Sequence, residues 1–303
     1  MSLTTLAQPQ GLPAPTEPEA PRSKTQAPLN KPRPKPLLDR LLLAVPLTIA
    51  LIFTLVPFYW MLLFAFRPAG STSLVPWPIT FDHFIKVWNG NGFGVFFLNS
   101  LYVAGVSLII STVIGLLGGY ALARFAFRGK SAFVLIMLCT QFIPGAMLLI
   151  PLFQVFNGLG LTNSLWALII SDTVFQLPLS LVLMAGFIRN VPIDLEEQAW
   201  VDGCSRFRAF ITVVLPLLKP GIVAVGSFAF ISAWNNFLFA IMFITSQDQF
   251  TIPVGLSYLL GEFGTDFGAL AAGGVVAVVP VVAVFAYVQK YLVQGLSAGA
   301  VKG

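Results

Sequence analysis

Six stretches of this chain, at about 41–66, 95–123, 132–156, 164–187, 221–244 and 267–290, each run for more than twenty residues with at most one charged side chain. A hydrocarbon core about 30 Å thick takes roughly 20 apolar residues wound as a helix. Backbone polar groups in lipid must be satisfied within the segment, so such runs are helices. The chain is therefore expected to be an all-α membrane protein with six transmembrane helices. Only 10% of its residues are charged, whereas a soluble domain carries about a quarter. There is too little polar side chain here to cover a water-facing surface.

With six spans both termini lie on one side, and the Lys and Arg distribution says which. Of the 17 Lys and Arg residues, only Arg67 and Lys86 fall in loops on the far side. The rest sit in the N-terminal segment, in the 124–131 and 188–220 loops, and near the C-terminus. Basic residues stay with the cytoplasm, so both termini and both of those loops are expected inside. The net charge of +5 is then a topology signal and not a sign of nucleic-acid binding.

Residues 1–39 form a separate region. Nine of the 22 prolines fall there with few large apolar residues, a composition that cannot offset its ordering entropy, so a disordered tail is expected. It lacks the apolar core of a signal peptide. His83 is the only histidine, which argues against a His-based metal site or a Ser-His triad. Cys139 lies in an apolar run and Cys204 in a polar loop, at different depths, so no disulfide is expected.

Between the fourth and fifth runs, residues 188–220 are polar. They hold Asp194, Glu196, Glu197 and Asp202 among four basic residues, Arg189, Arg206, Arg208 and Lys219. Pro192 ends the preceding span. Asp194 then reads as an N-cap, Glu197 three residues later completes a capping-box pair, and Gly203 suits the position just past a helix end. A short helix over 195–202 follows. Ser205 reads as the cap of a second helix, on which Phe207, Phe210, Ile211 and Val214 recur at helical spacing, before Pro216 and Pro220 interrupt the chain. On these side chains alone, Glu197 and Asp202 serve equally well as caps of a solvated turn.

The whole pattern is more specific than its parts. Glu197, Gln198 and Ala199, then Gly203, then Leu215 and Pro216 resemble the EAA signature of binding-protein-dependent ABC importer permeases. That signature is Glu-Ala-Ala, three residues, Gly, nine residues, then Ile-x-Leu-Pro. Gln198 and Val213 depart from it. The strings YALARFAFRGK (120–130), WNNFLF (234–239) and YLVQGLSAGAVKG (291–303) are similar to the carbohydrate branch, and most of all to the second, six-span permease of maltose-type systems. The resemblance covers about 40–303. It implies the fold of a type I ABC importer transmembrane domain and a place in a bacterial or archaeal cytoplasmic membrane. It implies three partners: a second homologous permease, a cytoplasmic ATPase dimer and an extracytoplasmic solute-binding protein. It also implies that Glu197, Gln198, Ala199, Asp202, Gly203, Leu215 and Pro216 couple the chain to the ATPase, and that this chain holds no cofactor. The sequence has no P-loop, so the ATP would be hydrolysed by the partner.

Polar residues also occur inside the apolar runs. A carboxylate mid-span, as at Asp172, costs about 2.5–3.5 kcal/mol on insertion scales. Gln176 lies one turn on, Gln141 is a candidate cross-helix partner for Asp172, and Asn235 and Asn236 lie in the fifth run. They read either as hydrogen bonds that hold the bundle or as a translocation path for a hydroxylated solute. Pro144, Pro151 and Pro178 are expected to break or kink the third and fourth spans. Gly115, Gly118, Gly119, Gly273 and Gly274 are expected at close helix contacts. Other readings are an importer of another solute, such as a polyamine or peptide, and an ion-coupled secondary transporter with Asp172 in a proton relay.

Overall fold

The computed structural model describes residues 37–90, 92–260 and 266–300. It divides into two units, residues 1–52 and 53–303. In the first unit the described residues belong to one helix, α1 (Leu37–Phe66), which starts three residues inside the expected tail. The remainder of that tail lies outside the described residues.

Among its described residues the second unit has only helices as regular elements. It continues with α2 (Asp82–Ile85), α3 (Phe93–Arg124), α4 (Lys130–Thr140), α5 (Leu149–Gly158), α6 (Leu165–Arg189), α7 (Asp194–Val201), α8 (Arg206–Ala209), α9 (Leu215–Leu217), α10 (Lys219–Trp234), α11 (Leu238–Phe243), α12 (Ile252–Tyr258) and α13 (Phe267–Ala300). Among the described residues four helices are long and apolar enough to cross a membrane alone, and up to six spans result if each bent pair counts as one.

The differences from six straight spans are local and have causes. The third span is two helices, α4 and α5, meeting at 90°. Pro144, which has no N–H to donate, sits at that break with extended backbone. Pro151 breaks nothing: it falls in the first turn of α5, where the N–H would be unpaired anyway. Pro178 lies inside α6, which runs unbroken for 25 residues. The fifth span stops at Asn235 after the 16 residues of α10 and resumes as α11. The short helix α2 continues as a π turn over Lys86–Gly90. Its buried side chains are His83 and Val87, whereas Phe81, Ile85 and Trp88 are exposed.

The centre of the unit is the pairing of α3 with α6, against which α10 packs. Lipid tails are as apolar as Leu, so helices in a bilayer gain from close contact and hydrogen bonds more than from burial itself. Close contact needs small side chains, and α3 supplies a buried stripe of them at Ala104, Ser107, Ser111, Gly115 and Gly119. A Cβ at Gly115 would lie 2.9 Å from Ser180 Cβ, and one at Gly119 would lie 2.9 Å from Met184 Cβ. At the end away from α7 an aromatic cluster closes the core, with Phe239 stacked on Phe243 and Phe156 edge-on to Phe243.

Candidate functional site

The charged segment forms the two short helices expected of it, with a different start. The residue ahead of α7 is Ile193, already helical and without a side-chain cap. Asp194 is therefore the first helical residue and not the cap, and the capping-box pair with Glu197 does not form. Asp194, Glu196 and Glu197 still occupy the first turn, where the helix dipole favours negative charge.

The C-terminal end is as expected and can be stated bond by bond. Gly203 N–H donates to Trp200 O at 3.0 Å and Cys204 N–H to Ala199 O at 2.9 Å. This is the two-bond Schellman closure, which needs a left-handed residue just past the helix. Gly203 supplies it with φ +86°. Ser205 caps α8 by accepting the Arg208 N–H at 3.3 Å. Beyond it the chain runs through a π turn, Phe210–Val214, just ahead of Pro216, which has no N–H for the Thr212 carbonyl. The chain then bends by 76° at Leu218, between the helix ending at Leu217 and α10.

Of the residues assigned to coupling, Glu197, Gln198, Asp202, Gly203 and Pro216 are exposed, while Ala199 and Leu215 are half-buried. Val201, between them, is 88% exposed. The tip of α7 is thus a rigid, solvent-facing knob closed by a defined cap.

The residue that sequence reasoning undervalued is Glu196. It reads as one more first-turn acid, yet it is fully buried. Its Oε1 accepts from Arg124 Nε at 2.6 Å and its Oε2 from the Tyr120 hydroxyl at 2.7 Å. The Arg124 guanidinium also donates to Val191 O at 2.8 Å. The available signal was the Tyr120–Arg124 spacing, one helical turn, at the end of a span beside a loop rich in carboxylates. Next to this cluster is a cavity of about 470 Å3, lined in part by Trp200, Arg206 and Phe207. The Arg206 guanidinium lies 5.2 Å from the Trp200 ring centroid.

Within the spans, the partner of Asp172 is Asn236, whose Nδ2 donates to Asp172 Oδ1. The expected partner, Gln141, instead donates to Phe175 O at 3.1 Å. Asn236 also accepts the Phe239 N–H at 3.2 Å, satisfying a free donor where α11 begins. This explains how the break in the fifth span is tolerated: interrupted backbone must find partners. Asn235 turns back to Ile231 O at 2.9 Å and does not join the cluster. Gln176 is buried, and its Nε2 has no partner among the described residues, as is true of Asp172 Oδ2. The structure therefore brings Asp172 and Asn236 together and leaves Gln141, Gln176 and Asn235 apart.

Two asparagines not singled out in the sequence organise the opposite end. Asn163, with φ +57°, accepts the N–H groups of Thr245 and Ser246 at 3.0 and 2.9 Å. Asn99 donates to Asp248 O and Phe250 O at 2.8 and 2.9 Å. They tie the loops before α6 and before α12 to their neighbours.

Long packed spans, two of them broken, joined by a capped polar helix pair, define a multi-pass membrane protein. Its fold is that of a type I ABC importer transmembrane domain. It aligns with the crystal structure of a bacterial ABC transporter involved in the import of the acidic polysaccharide alginate, with a TM-score of 0.73 at 21% identity, over 84% of this chain and 96% of that one. Residues 111–298 match the family described as binding-protein-dependent transport system inner membrane component, and the chain belongs to that family. It is similar to the diacetylchitobiose uptake system permease protein DasC of Streptomyces coelicolor, 36% identical over 265 residues, 86% of this chain and 95% of that protein. It is also similar to the arabinooligosaccharides transport system permease protein AraQ of Halalkalibacterium halodurans, 33% identical over 255 residues, 82% of this chain and 91% of that protein.

Proposed function

We propose that this chain is one of two homologous permease subunits that form the membrane path of an ATP-driven importer for a sugar or oligosaccharide. The observation that carries the coupling part is the exposed, Schellman-closed tip of α7, where Glu197, Gln198, Asp202 and Gly203 face solvent on a rigid helix. The named cargo of the relatives, diacetylchitobiose and arabinooligosaccharides, supports the sugar.

In this reading α7 seats in a cytoplasmic ATPase dimer, and the binding protein docks on the opposite, extracytoplasmic loops. Both termini lie in the cytoplasm, in a bacterial or archaeal cell membrane, as the Lys and Arg asymmetry favours. ATP-driven closure of the dimer displaces α7, which the chain joins to α6 on one side and, through α8 and the 76° bend, to α10 on the other. Rigid-body rocking of packed helices then alternates access between the two sides. The path candidates are Gln141, Asp172, Gln176, Asn235 and Asn236. Of these, Asp172 and Asn236 sit where α6 meets the break in the fifth span, which is where rocking would rearrange contacts.

The test is uptake of a panel of labelled di- and oligosaccharides by cells carrying the intact system or its Glu197→Lys variant. The expected result is uptake of at least one sugar that the variant loses, because Lys reverses a charge on the docking knob. Normal transport by the variant, with the ATPase still bound, would defeat the docking role. Uptake of a polyamine or peptide and of no sugar would defeat the substrate assignment.

A further inference from the structure

We infer that Glu196 is a positioning residue that fastens the coupling helix to α3, making a third span part of the lever. The inference rests on the reading of α7 as the ATPase-docking helix and deepens it.

By chain connectivity α7 can move only α6 and α10. Neither of those links is a continuous helix. Residues 190–193 are a turn, and the route to α10 passes a glycine, a π turn and a sharp bend. A push on α7 would be absorbed in these joints unless something else held the helix. Glu196 provides the hold. It projects from the first turn of α7 into the end of α3, where its two oxygens meet Arg124 Nε and the Tyr120 hydroxyl, and no part of it reaches solvent. Arg124 is almost as enclosed, its side chain being 11% exposed. It uses a second nitrogen to hold Val191 O, so one guanidinium grips both the carboxylate of α7 and the backbone at its entry. Arg is suited to this by its planar array of donors, which a Lys lacks. The ring of Tyr120 packs edge-on to Phe210 at 4.8 Å, which extends the hold to the π turn beyond α8.

The chemistry favours a positional role over a stabilising one. Desolvating two charges offsets most of their attraction, so a buried ion pair is a poor source of net stability but a demanding one for geometry. Replacing both members by neutral groups leaves a foldable protein without the hold, and replacing one leaves a buried unpaired charge. The α3 stripe at Gly115 and Gly119 lies against α6. A force delivered to the end of α3 therefore moves α3 and α6 as one body, with α10 packed on them.

The experiment uses the intact complex of this chain with its permease partner, ATPase and binding protein, in lipid nanodiscs. Native Cys139 and Cys204 are replaced by Ala and Ser, and spin labels are placed at Asp194 and Arg128, both exposed. The variants are Tyr120→Phe, Glu196→Gln, and the double neutral variant Glu196→Gln with Arg124→Met, which is expected to accumulate normally even where the single Gln variant does not. Two quantities are read: the distance distribution between labels with and without ATP, and ATPase activity with and without loaded binding protein. With the native clamp the distance stays narrow and unchanged across nucleotide states. In the double variant it broadens, and stimulated ATPase falls by about twofold to thirtyfold while basal ATPase holds. Tyr120→Phe shows a smaller change of the same kind. A double variant with an unchanged narrow distance and full stimulation overturns the role of Glu196. A native complex whose ATPase ignores the loaded binding protein overturns the docking reading, and the lever with it.

Discussion

The left-handed residue at Gly203 allows a prediction whose size follows from geometry. A Cβ built there meets no atom within 4 Å, so substitution by Ala introduces no clash. The cost is purely conformational: an L-residue held in the left-handed region costs roughly 1–2 kcal/mol, whereas Asn tolerates it far better. The bonds at stake are those from the Gly203 and Cys204 amides to Trp200 and Ala199. Gly203→Ala should therefore shift the opening equilibrium of the last turn of α7 by about fivefold to thirtyfold, and Gly203→Asn by much less. Hydrogen exchange of the peptide spanning residues 199–206, in the assembled complex in nanodiscs, reads that equilibrium directly. Transport should follow the same order, with Asn closer to the native protein than Ala. Equal protection in the two variants, or an Ala variant that exchanges like the native protein, would refute the reasoning, because no steric effect is available to explain either result.

Asp172→Ala should lower thermal stability, since it removes the acceptor for Asn236, a contact worth about 0.6–1.7 kcal/mol between membrane helices. Asp172→Asn keeps an acceptor and should leave stability near native; thermal unfolding in nanodiscs compares the two, and an Asn variant as unstable as the Ala one would refute the pairing. At the other end of the spans, the Lys86 ammonium bonded to Asp266 at 2.6 Å, helped by the Ala269 N–H, holds the Asp266 carboxyl below its ordinary value. A carboxyl lowered on folding contributes stability that is present above its unfolded pKa, about 3.9, and lost as pH falls through the lower folded value. Both side chains are largely open to water, so the pair is worth at most about 1 kcal/mol. The Tm gap between native protein and Lys86→Met should be small and constant above about pH 5 and close below about pH 4; a gap that widens in acid would contradict it.

Much of this was legible in the sequence, and the exceptions have physical reasons. Apolar run length located the spans because lipid leaves the backbone few alternatives. Gly203 and Ser205 were readable because each satisfies a local rule that depends only on its near neighbours. The break of the third span at Pro144 was expected, but the course of the fourth span as one helix through Pro178 and the break of the fifth were not. Pro144 and Pro178 look alike in sequence, but Pro178 lies in a helix enclosed by α3 and α10 whereas Pro144 lies on an exposed segment free to bend. The break at Asn235 required knowing that Asp172 stands across from Asn236. Glu196 was the largest omission, because the three acids of one first turn look alike until the fold brings Arg124, 72 residues away in sequence, against one of them.

The central claim, that the tip of α7 is where ATP hydrolysis meets the membrane subunit, is tested most directly by site-directed crosslinking. With Cys139 and Cys204 replaced, a single cysteine at Val201, which is 88% exposed, should crosslink to the ATPase subunit in the assembled importer. A single cysteine at Phe81, exposed near α2, should not. The account predicts that ATPase adduct at Val201 alone. A transporting complex in which Val201 never reaches the ATPase, while another segment of this chain does, would contradict it.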